Sequence, residues 1–261
     1  MTTWNPTVLD SLARLHAQGQ PIASLTAYDY PTARLLDEAG VDLILVGDSL
    51  GMVVLGLPDT TGVTLEAMLH HTRACRRGVT RALLVADLPY QTYETPEQAL
   101  TSARALLEAG ADAVKLEGGA AISTQVEALA RAGVPLVGHV GMLPQHIREE
   151  GGYKKKGRRS AEARLLKADA RFLESQGALA IVLEGIVPDV AAAITKALSI
   201  PTIGIGSGDA CSGQILVIHD LLGAFPWFRP PFAIPRADLA SAITQAAQEF
   251  IADVRRGPGA C

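Results

Sequence analysis

Short runs of apolar residues alternate with longer amphipathic stretches along most of the chain, and this alternation predicts parallel strands separated by helices. We interpret eight runs as strands, at residues 22–27, 43–46, 83–86, 113–119, 135–141, 179–184, 201–208 and 215–220. The run at 43–46 has no polar position, which is typical of a strand buried on both faces. Eight strands alternating with helices favour a (β/α)8 barrel over a doubly wound open sheet, which usually has fewer strands.

Most of the predicted helices end just before a glycine, which readily adopts the left-handed conformation that closes a helix. These glycines are Gly40, Gly78, Gly110, Gly133 and Gly177. An extra helix is expected at the start of the chain, with Asn5 as its N-cap, Pro6 in its first turn and Gly19 at its end. A last amphipathic stretch, at about 238–254, predicts a helix outside the barrel that acts as a terminal cover or an oligomer contact.

The segment at 142–159 shows no periodicity and therefore stands apart from the repeat. It contains three glycines and a basic cluster of Lys154, Lys155, Lys156, Arg158 and Arg159. Because it follows a predicted barrel strand, we expect a long mobile loop on the face where the strands end, placed as a lid.

A second glycine-rich segment, at 204–208, is open to several interpretations. It suits a phosphate cradle, a close approach of the backbone to a ligand, or a simple tight turn.

The chain length suits a single barrel domain. The 261 residues compare with about 250 for a typical (β/α)8 barrel, so we expect one domain over 1–261. Its barrel core is expected at about 20–222, with a C-terminal helical extension at about 223–261.

Charge and cysteine content exclude several classes of protein. The formal charge of −4 offers no basic footprint for nucleic acid or an anionic membrane, and no apolar run is long enough to span a bilayer. The N-terminal residues lack the basic and apolar regions of a signal peptide. Cys75, Cys211 and Cys261 are an odd number without close pairing or zinc-site spacing. We therefore expect a cytoplasmic globular protein without a nucleic-acid or membrane partner.

Polar residues stand at the ends of five consecutive predicted strands, and in a barrel these ends converge on one mouth. The residues are Asp48, Asp87, Lys115, Glu117, His139 and Glu184. Any one of them alone reads as a turn, a helix cap or a satisfied core residue. Together they indicate a functional site, because burying so many polar groups without function would be costly.

The residue types at this mouth suggest metal-assisted carbanion chemistry. Asp48, Asp87 and Glu117 are carboxylates that suit a hard divalent cation such as Mg2+, and such a cation would chelate a 2-oxo acid. Lys115 would add positive charge for the substrate carboxylate, and Ser49 would donate a hydrogen bond to it. A polarised ketone acidifies the neighbouring C–H, and Glu184 is the candidate general base.

Seven short strings, in this order over about 22–220, resemble the ketopantoate hydroxymethyltransferases. They are TAYDY at 26–30, VGDSLGM at 46–52, ADLP at 86–89, VKLEGG at 114–119, GHVG at 138–141, GGYK at 151–154 and IGIG at 203–206. The resemblance implies a Mg2+-dependent barrel of the phosphoenolpyruvate/pyruvate type. It further implies transfer of a hydroxymethyl group from 5,10-methylenetetrahydrofolate to 3-methyl-2-oxobutanoate, which gives ketopantoate for pantothenate and coenzyme A biosynthesis.

The resemblance also implies roles for individual residues. Asp48 and Asp87 would hold the metal and through it the substrate, and Glu117 would lie at the metal directly or through water. Ser49 and Lys115 would hold the 2-oxo acid. The resemblance further implies that the residue matching Glu184 is the proton acceptor, and that the protein is a homo-oligomer, commonly a decamer. We expect His139 to line the substrate pocket without transferring a proton.

Two rival functions stay open at this point. A Mg2+-dependent C–C lyase or aldolase of the same barrel superfamily would act on a related 2-oxo acid, but many such lyases use a cysteine in the lid, and 142–159 contains none. A catalytically silent barrel that serves as a binding protein would be expected to have lost acids at its strand ends, and this sequence retains them.

Overall fold

Eight parallel strands close into a barrel in sequential order in the computed structural model, which describes residues 6–256. The strands are β1 (Ile22–Thr26), β2 (Leu43–Val46), β3 (Leu83–Asp87), β4 (Ala113–Glu117), β5 (Leu136–Gly141), β6 (Ala180–Glu184), β7 (Thr202–Ile205) and β8 (Gly213–Leu216). The predicted (β/α)8 barrel is therefore confirmed.

Helices follow most of the strands. They are α1 (Pro6–Leu9), α2 (Ser11–Ala17), α3 (Tyr30–Ala39), α4 (Leu50–Val53), α5 (Leu65–Arg76), α6 (Pro96–Glu108), α7 (Ser123–Arg131), α8 (Ile147–Glu150), α9 (Ser160–Ser175), α10 (Pro188–Ala197), α11 (Ile218–Leu222) and α12 (Leu239–Arg256). Short 3-10 turns lie at Thr60–Gly62, Ala120–Ile122 and Pro144–His146. None of the helices between residues 6 and 256 is long and apolar enough to cross a bilayer.

Side-chain caps account for several of the helix starts. The Thr95 hydroxyl accepts a hydrogen bond from the N–H of Gln98 at 3.2 Å and so caps the start of α6. The single N-terminal helix expected from the sequence is instead two short helices, α1 and α2, separated at Asp10. The predicted N-cap of that helix, Asn5, lies outside the described residues, as does Cys261.

The lower barrel is filled by aliphatic side chains from alternate positions of the strands. One buried cluster joins these inward residues to Leu12 of α2; its members on the strands are Ile22, Leu43, Leu45, Leu83, Val85, Ala113, Val137, Ala180, Val182, Ile203 and Ile215. The same alternation carries polar residues inward at the carboxyl ends of the strands, because Asp87 follows Val85 in phase and His139 follows Val137. The lower part of the barrel is therefore apolar, and the polar residues lie above it at the carboxyl ends of the strands.

The barrel closes at a glycine. The Ile22 N–H donates to the Ser212 carbonyl at 3.0 Å, which brings the start of β1 against the segment before β8. A Cβ atom on Gly213 would lie 2.3 Å from the Ile22 carbonyl oxygen, so a side chain there would push the two strands apart.

The predicted eighth strand, at 215–220, is wrong in its position. β8 begins at Gly213 and ends at Leu216, and the predicted end residues His219 and Asp220 belong to α11. The apolar run at 215–218 suits a strand and a helix start equally well, and periodicity alone does not separate the two over so few residues.

The chain forms two compact units that divide after Ile215. The first contains the strands up to Ile215 and all the polar residues that the sequence placed at the mouth. The second contains α11 and α12. The single domain expected over 1–261 stays a prediction.

Candidate active site

The carboxyl ends of β3, β4 and β5 bring four buried polar side chains into the upper barrel. Asp87, Lys115, Glu117 and His139 are each at most 4% exposed. Glu184, at the end of β6, is the most accessible of the predicted group, with 14% of its side chain exposed. Lys115 and Glu117 lie two residues apart on β4, and both side chains are buried beside His139.

Asp48 reaches the site from the loop after β2, because Gly47 occupies the next inward position of that strand. The Asp48 N–H donates to Oδ2 of Asp87 at 3.0 Å, which links the two acids through the backbone. A Cβ atom on Gly47 would lie 2.9 Å from Oγ of Ser49 and 3.5 Å from Oδ2 of Asp87. The missing side chain therefore leaves room between these polar groups.

Lys115 is the cation nearest to the aspartates. Its Nζ lies 2.9 Å from Oδ1 of Asp87 and 3.3 Å from Nδ1 of His139. Burial lowers the pKa of Lys115, but the charges of Asp87, Glu117 and Asp48 outweigh burial and raise it. The ammonium form of Lys115 is therefore maintained inside the barrel.

His139 lies between two acids. Its Nδ1 is 3.5 Å from Oε1 of Glu117, and its Nε2 is 3.2 Å from Oε2 of Glu184. Burial and the Lys115 charge lower the pKa of His139, but the hydrogen bonds to Glu117 and Glu184 outweigh them and raise it to about 9. The imidazolium form is therefore favoured at neutral pH.

Negative charge is in excess around Asp48 and Asp87. Burial, followed by repulsion from Asp87 and Glu117, raises the pKa of Asp48 well above its ordinary value. Burial also raises the pKa of Asp87, although Lys115 and the Asp48 N–H act against it. The pKa of Glu117 is lowered despite its burial, because His139, Lys115 and the N–H of Gln145 stabilise its charge.

Three residues of the site were not predicted from the sequence. Gln145, in the turn Pro144–His146, donates from Nε2 to Oδ2 of Asp48 at 2.7 Å, and the Tyr93 hydroxyl donates to Oε1 of Gln145 at 2.5 Å. The Tyr28 hydroxyl lies 2.9 Å from Oγ of Ser49. Uncharged residues beyond the strand ends carry no pattern that marks them; only the positions of Tyr28 shortly after β1 and of Gln145 after β5 pointed to the mouth.

The segment at 142–159 is more ordered than the expected loop. It contains the turn Pro144–His146 and helix α8, and Lys156 pairs with the backbone beyond Glu184 as an isolated parallel bridge to Ile186. These short turns have too few residues to show a helical period in the sequence.

Ion pairs connect this segment to its surroundings. The Arg148 guanidinium binds Asp59 through Nε at 2.8 Å and Nη2 at 3.2 Å, and Lys156 Nζ lies 2.7 Å from Oε2 of Glu150. Because Asp59 lies in the segment that follows β2, the Arg148–Asp59 pair holds α8 beside the mouth of the barrel.

The glycine-rich turn after β7 supports the end of β6. The buried Ser207 hydroxyl donates to the Leu183 carbonyl at 2.7 Å and accepts from the Ile186 N–H at 3.0 Å. Ser207 therefore binds the backbone on both sides of Glu184. These contacts account for the turn through packing; the alternative of a phosphate cradle stays untested.

The described residues 6–256 contain no group of three His, Cys, Asp or Glu side chains arranged around a common point as a ready-made metal cage. Asp48 and Asp87 are linked directly, whereas Glu117 is held by His139 and by the N–H of Gln145 at 3.0 Å.

Comparison with known sequences gives a consistent set of relatives. Residues 7–259 match the family described as ketopantoate hydroxymethyltransferase. The 3-methyl-2-oxobutanoate hydroxymethyltransferase of Oleidesulfovibrio alaskensis is 54% identical over 238 residues, which cover 90% of this chain and 82% of that protein. The protein of the same name from Pyrobaculum islandicum is 52% identical over 254 residues, covering 96% and 95%.

Solved structures with little sequence similarity share the fold. A phosphonopyruvate hydrolase complexed with oxalate and Mg2+ aligns with a TM-score of 0.63 at 15% identity, covering 95% of this chain and 87% of that one. A 2,3-dimethylmalate lyase of the PEP mutase/isocitrate lyase superfamily aligns with a TM-score of 0.61 at 19% identity, covering 97% and 89%. The chain thus shares the barrel fold of these two proteins.

Proposed function

The chain belongs to the ketopantoate hydroxymethyltransferase family, and we propose that it transfers a hydroxymethyl group from 5,10-methylenetetrahydrofolate to 3-methyl-2-oxobutanoate, forming ketopantoate. The observation that carries the proposal within the molecule is the contact between Glu184 and His139 at 3.2 Å, directly beside the buried Lys115 and its aspartates. One barrel mouth therefore combines a partly exposed base with a cationic site for a 2-oxo acid.

A divalent cation fits the residues at this mouth. Asp48, Asp87, Glu117 and Glu184 face one ammonium and one imidazolium, which leaves two negative charges in excess when all four acids are ionised. Burial, with repulsion from the neighbouring acids, raises the pKa values of Asp48 and Asp87, so a bound cation would stabilise their ionised forms. We assign Asp48 and Asp87 as Mg2+ ligands, with Glu117 at the ion directly or through water. When bound there, Mg2+ would polarise the keto oxygen of the substrate and acidify its C3–H.

Lys115 and Ser49 are proposed to hold the substrate carboxylate. The Lys115 ammonium carries three N–H donors, and one of them binds Oδ1 of Asp87. Because the His139 imidazolium carries protons on both ring nitrogens, it accepts none of the other donors, and these can bind an anion. The Ser49 hydroxyl is oriented by Tyr28 at 2.9 Å. His139 lines the same space, and its imidazolium attracts the anionic substrate.

Glu184 is the proposed general base. Its Oε2 contacts His139, and 14% of its side chain is exposed, so the carboxylate is accessible to a substrate. Glu184 takes the C3 proton, and C3 forms a bond to the methylene carbon of the folate. Both bonds from that carbon to the folate nitrogens N5 and N10 break. Water supplies the hydroxyl group, and the C3 proton and the second proton of water go to the two nitrogens, so the products are ketopantoate and tetrahydrofolate.

We further propose that the protein is a cytoplasmic homo-oligomer, with the decamer of the family as the expected state. Helix α12 supports an oligomer, because its apolar residues Ile243, Phe250 and Val254 recur at helical spacing and are more than half exposed. Cys75 and Cys211 are free thiols, in keeping with a reducing compartment. Mass photometry of the purified protein measures the oligomeric state directly.

The reaction is tested by mixing the protein with 3-methyl-2-oxobutanoate, 5,10-methylenetetrahydrofolate and Mg2+ and measuring ketopantoate by mass spectrometry. Ketopantoate should form only when folate and a divalent cation are both present, and an Asp87→Asn control should form little. Conversion of 3-methyl-2-oxobutanoate to a different product without folate would instead favour the rival lyase or aldolase chemistry. Unchanged behaviour with and without metal, and no product, would favour a binding protein.

A further inference from the structure

Gln145 is a buried amide whose hydrogen bonds all go to residues around the site. It is 2% exposed, and its Nε2 donates to Oδ2 of Asp48 at 2.7 Å and to the Leu88 carbonyl at 2.9 Å. Its Oε1 accepts from the Tyr93 hydroxyl at 2.5 Å, and its backbone N–H donates to Oε2 of Glu117 at 3.0 Å. One residue thus connects the proposed metal ligand Asp48 to the acid that holds His139.

The orientation of this amide follows from its partners. A backbone carbonyl only accepts hydrogen bonds, so the group that faces Leu88 must be the NH2 of Gln145. Burial, followed by the charges of Glu117 and Asp48, raises the pKa of Tyr93, so its hydroxyl stays protonated and donates to Oε1. The same NH2 group therefore donates to Asp48, and it cannot turn away without losing all three side-chain hydrogen bonds.

We propose that Gln145 is a positioning residue that holds Oδ2 of Asp48 and thereby commits the other carboxylate oxygen, Oδ1, to the bound cation. The proposal rests on the function proposed above. Asp48 lies close to other acids, and burial destabilises its charge. A neutral donor at 2.7 Å stabilises the ionised carboxylate and restricts its rotation without adding a competing positive charge.

The same contact links the proposed lid to the metal ligands. Gln145 lies in the turn Pro144–His146, which leads directly into α8, and α8 carries Arg148 with its ion pair to Asp59. The segment at 142–159 is therefore anchored at its beginning inside the site. Gln145 should consequently affect cation affinity and the KM for the 2-oxo acid more than the proton-transfer step.

The test is a titration of Mn2+ into the full-length protein without substrates, followed by electron paramagnetic resonance. Gln145→Met keeps the length of the side chain and removes its donors and acceptor, and we expect about 10-fold weaker Mn2+ binding. Tyr93→Phe removes only the hydroxyl that orients the amide, and we expect about 3-fold weaker binding. Gln20→Met, at an exposed position before β1, is the matched control and should bind like the wild type.

Kinetics at saturating metal separate a positioning role from a purely structural one. The KM for 3-methyl-2-oxobutanoate should rise in Gln145→Met, while the rate of C3 deuterium exchange at saturating substrate stays within about 3-fold of wild type. A folded Gln145→Met protein with unchanged Mn2+ affinity would overturn the proposal, as would a loss confined to kcat. If Gln145→Met does not fold, unchanged Mn2+ binding in Tyr93→Phe overturns it equally.

The two proposals fail in distinguishable ways. If the wild-type protein binds Mn2+ but makes no ketopantoate, the proposed reaction is refuted. The Mn2+ affinities of wild type and Gln145→Met then still test the role of Gln145. A wild-type protein that does not bind Mn2+ refutes both.

Discussion

His139 Nε2 lies 3.2 Å from Oε2 of Glu184, at the point where the buried charges of the barrel meet its more accessible edge. The imidazolium, whose pKa is raised to about 9, is anchored on its other side by Glu117. One oxygen of Glu184 is thus held by a fixed cation, which restricts the direction of the carboxylate. His139 orients the proposed base; in this arrangement it needs no proton-transfer step of its own.

Replacing the proposed base tests this relationship. Glu184→Gln keeps the size of the side chain but removes its ability to take a proton, so C3 deuterium exchange of 3-methyl-2-oxobutanoate should fall by about 100-fold or more. Substrate binding, measured by isothermal titration calorimetry with Mg2+, should change little. The exposed Glu127→Gln on α7 serves as the control and should exchange like the wild type. Undiminished exchange in Glu184→Gln would remove this residue as the base.

Gly47 offers a test of the space beside the aspartates. In Gly47→Ala the new methyl group would lie 2.9 Å from Oγ of Ser49 and 3.5 Å from Oδ2 of Asp87. We expect a folded barrel whose KM for the 2-oxo acid rises about 10-fold, because Ser49 must move. Gly62→Ala, which meets only the flexible end of Leu57 at 3.1 Å, is the control. Equal KM values for the two variants would contradict the assignment of Ser49 to the substrate site.

Asp37 lies outside the site and stabilises the fold, and its contribution to the free energy of unfolding should depend on pH. Burial alone would raise the pKa of Asp37, but the N–H groups of Ala82, Arg81 and Thr80 outweigh burial and lower it. Because the pKa is lower in the folded state, this stabilisation is present above the unfolded value of about 4 and is lost as the pH falls through the folded value.

Urea unfolding at two pH values measures the effect. Asp37→Asn should lower the free energy of unfolding by about 2–4 kcal/mol at pH 7, since a buried charged acceptor with several N–H donors is lost. The difference from the wild type should shrink at about pH 3.5. The exposed Asp10→Asn should change the free energy little at either pH. If the free energies of unfolding of wild type and Asp37→Asn differ by the same amount at both pH values, the charge of Asp37 is not the source of the difference.

The sequence predicted the parts of the fold that local chemistry determines. Strand β2 was predicted residue for residue, because four apolar positions followed by Gly47 leave little choice. The position of β8 was wrong, because its start is set by the closeness of Gly213 to Ile22, a contact between distant parts of the chain.

The candidate site likewise has residues that the sequence predicted and residues that it did not. Charged residues at strand ends could be recognised from their spacing, since a parallel barrel gathers such ends at one mouth. The hydrogen bonds of Gln145 to Asp48 and of Tyr28 to Ser49 could not be predicted. Gln145 and Tyr28 are uncharged, and they lie 97 and 21 residues along the chain from their partners. Single-sequence patterns report periodicity along the chain and do not report which loop packs into a mouth.

The attachment of the proposed lid, residues 142–159, can be tested through the ion pair that joins it to the loop after β2. Asp59 binds Arg148 of α8 through two hydrogen bonds, at 2.8 and 3.2 Å. Asp59→Asn keeps the oxygen that accepts from the Thr61 N–H but removes the charge, so it should weaken the attachment of α8. Trypsin should then cleave after the basic residues at 154–156 about 2–5-fold faster than in the wild type. Glu38→Gln, which removes the exposed pair with Arg34 on α3, should leave that rate unchanged. Identical cleavage of Asp59→Asn and wild type, at low and at high salt, would mean that the Arg148–Asp59 pair does not hold the segment closed.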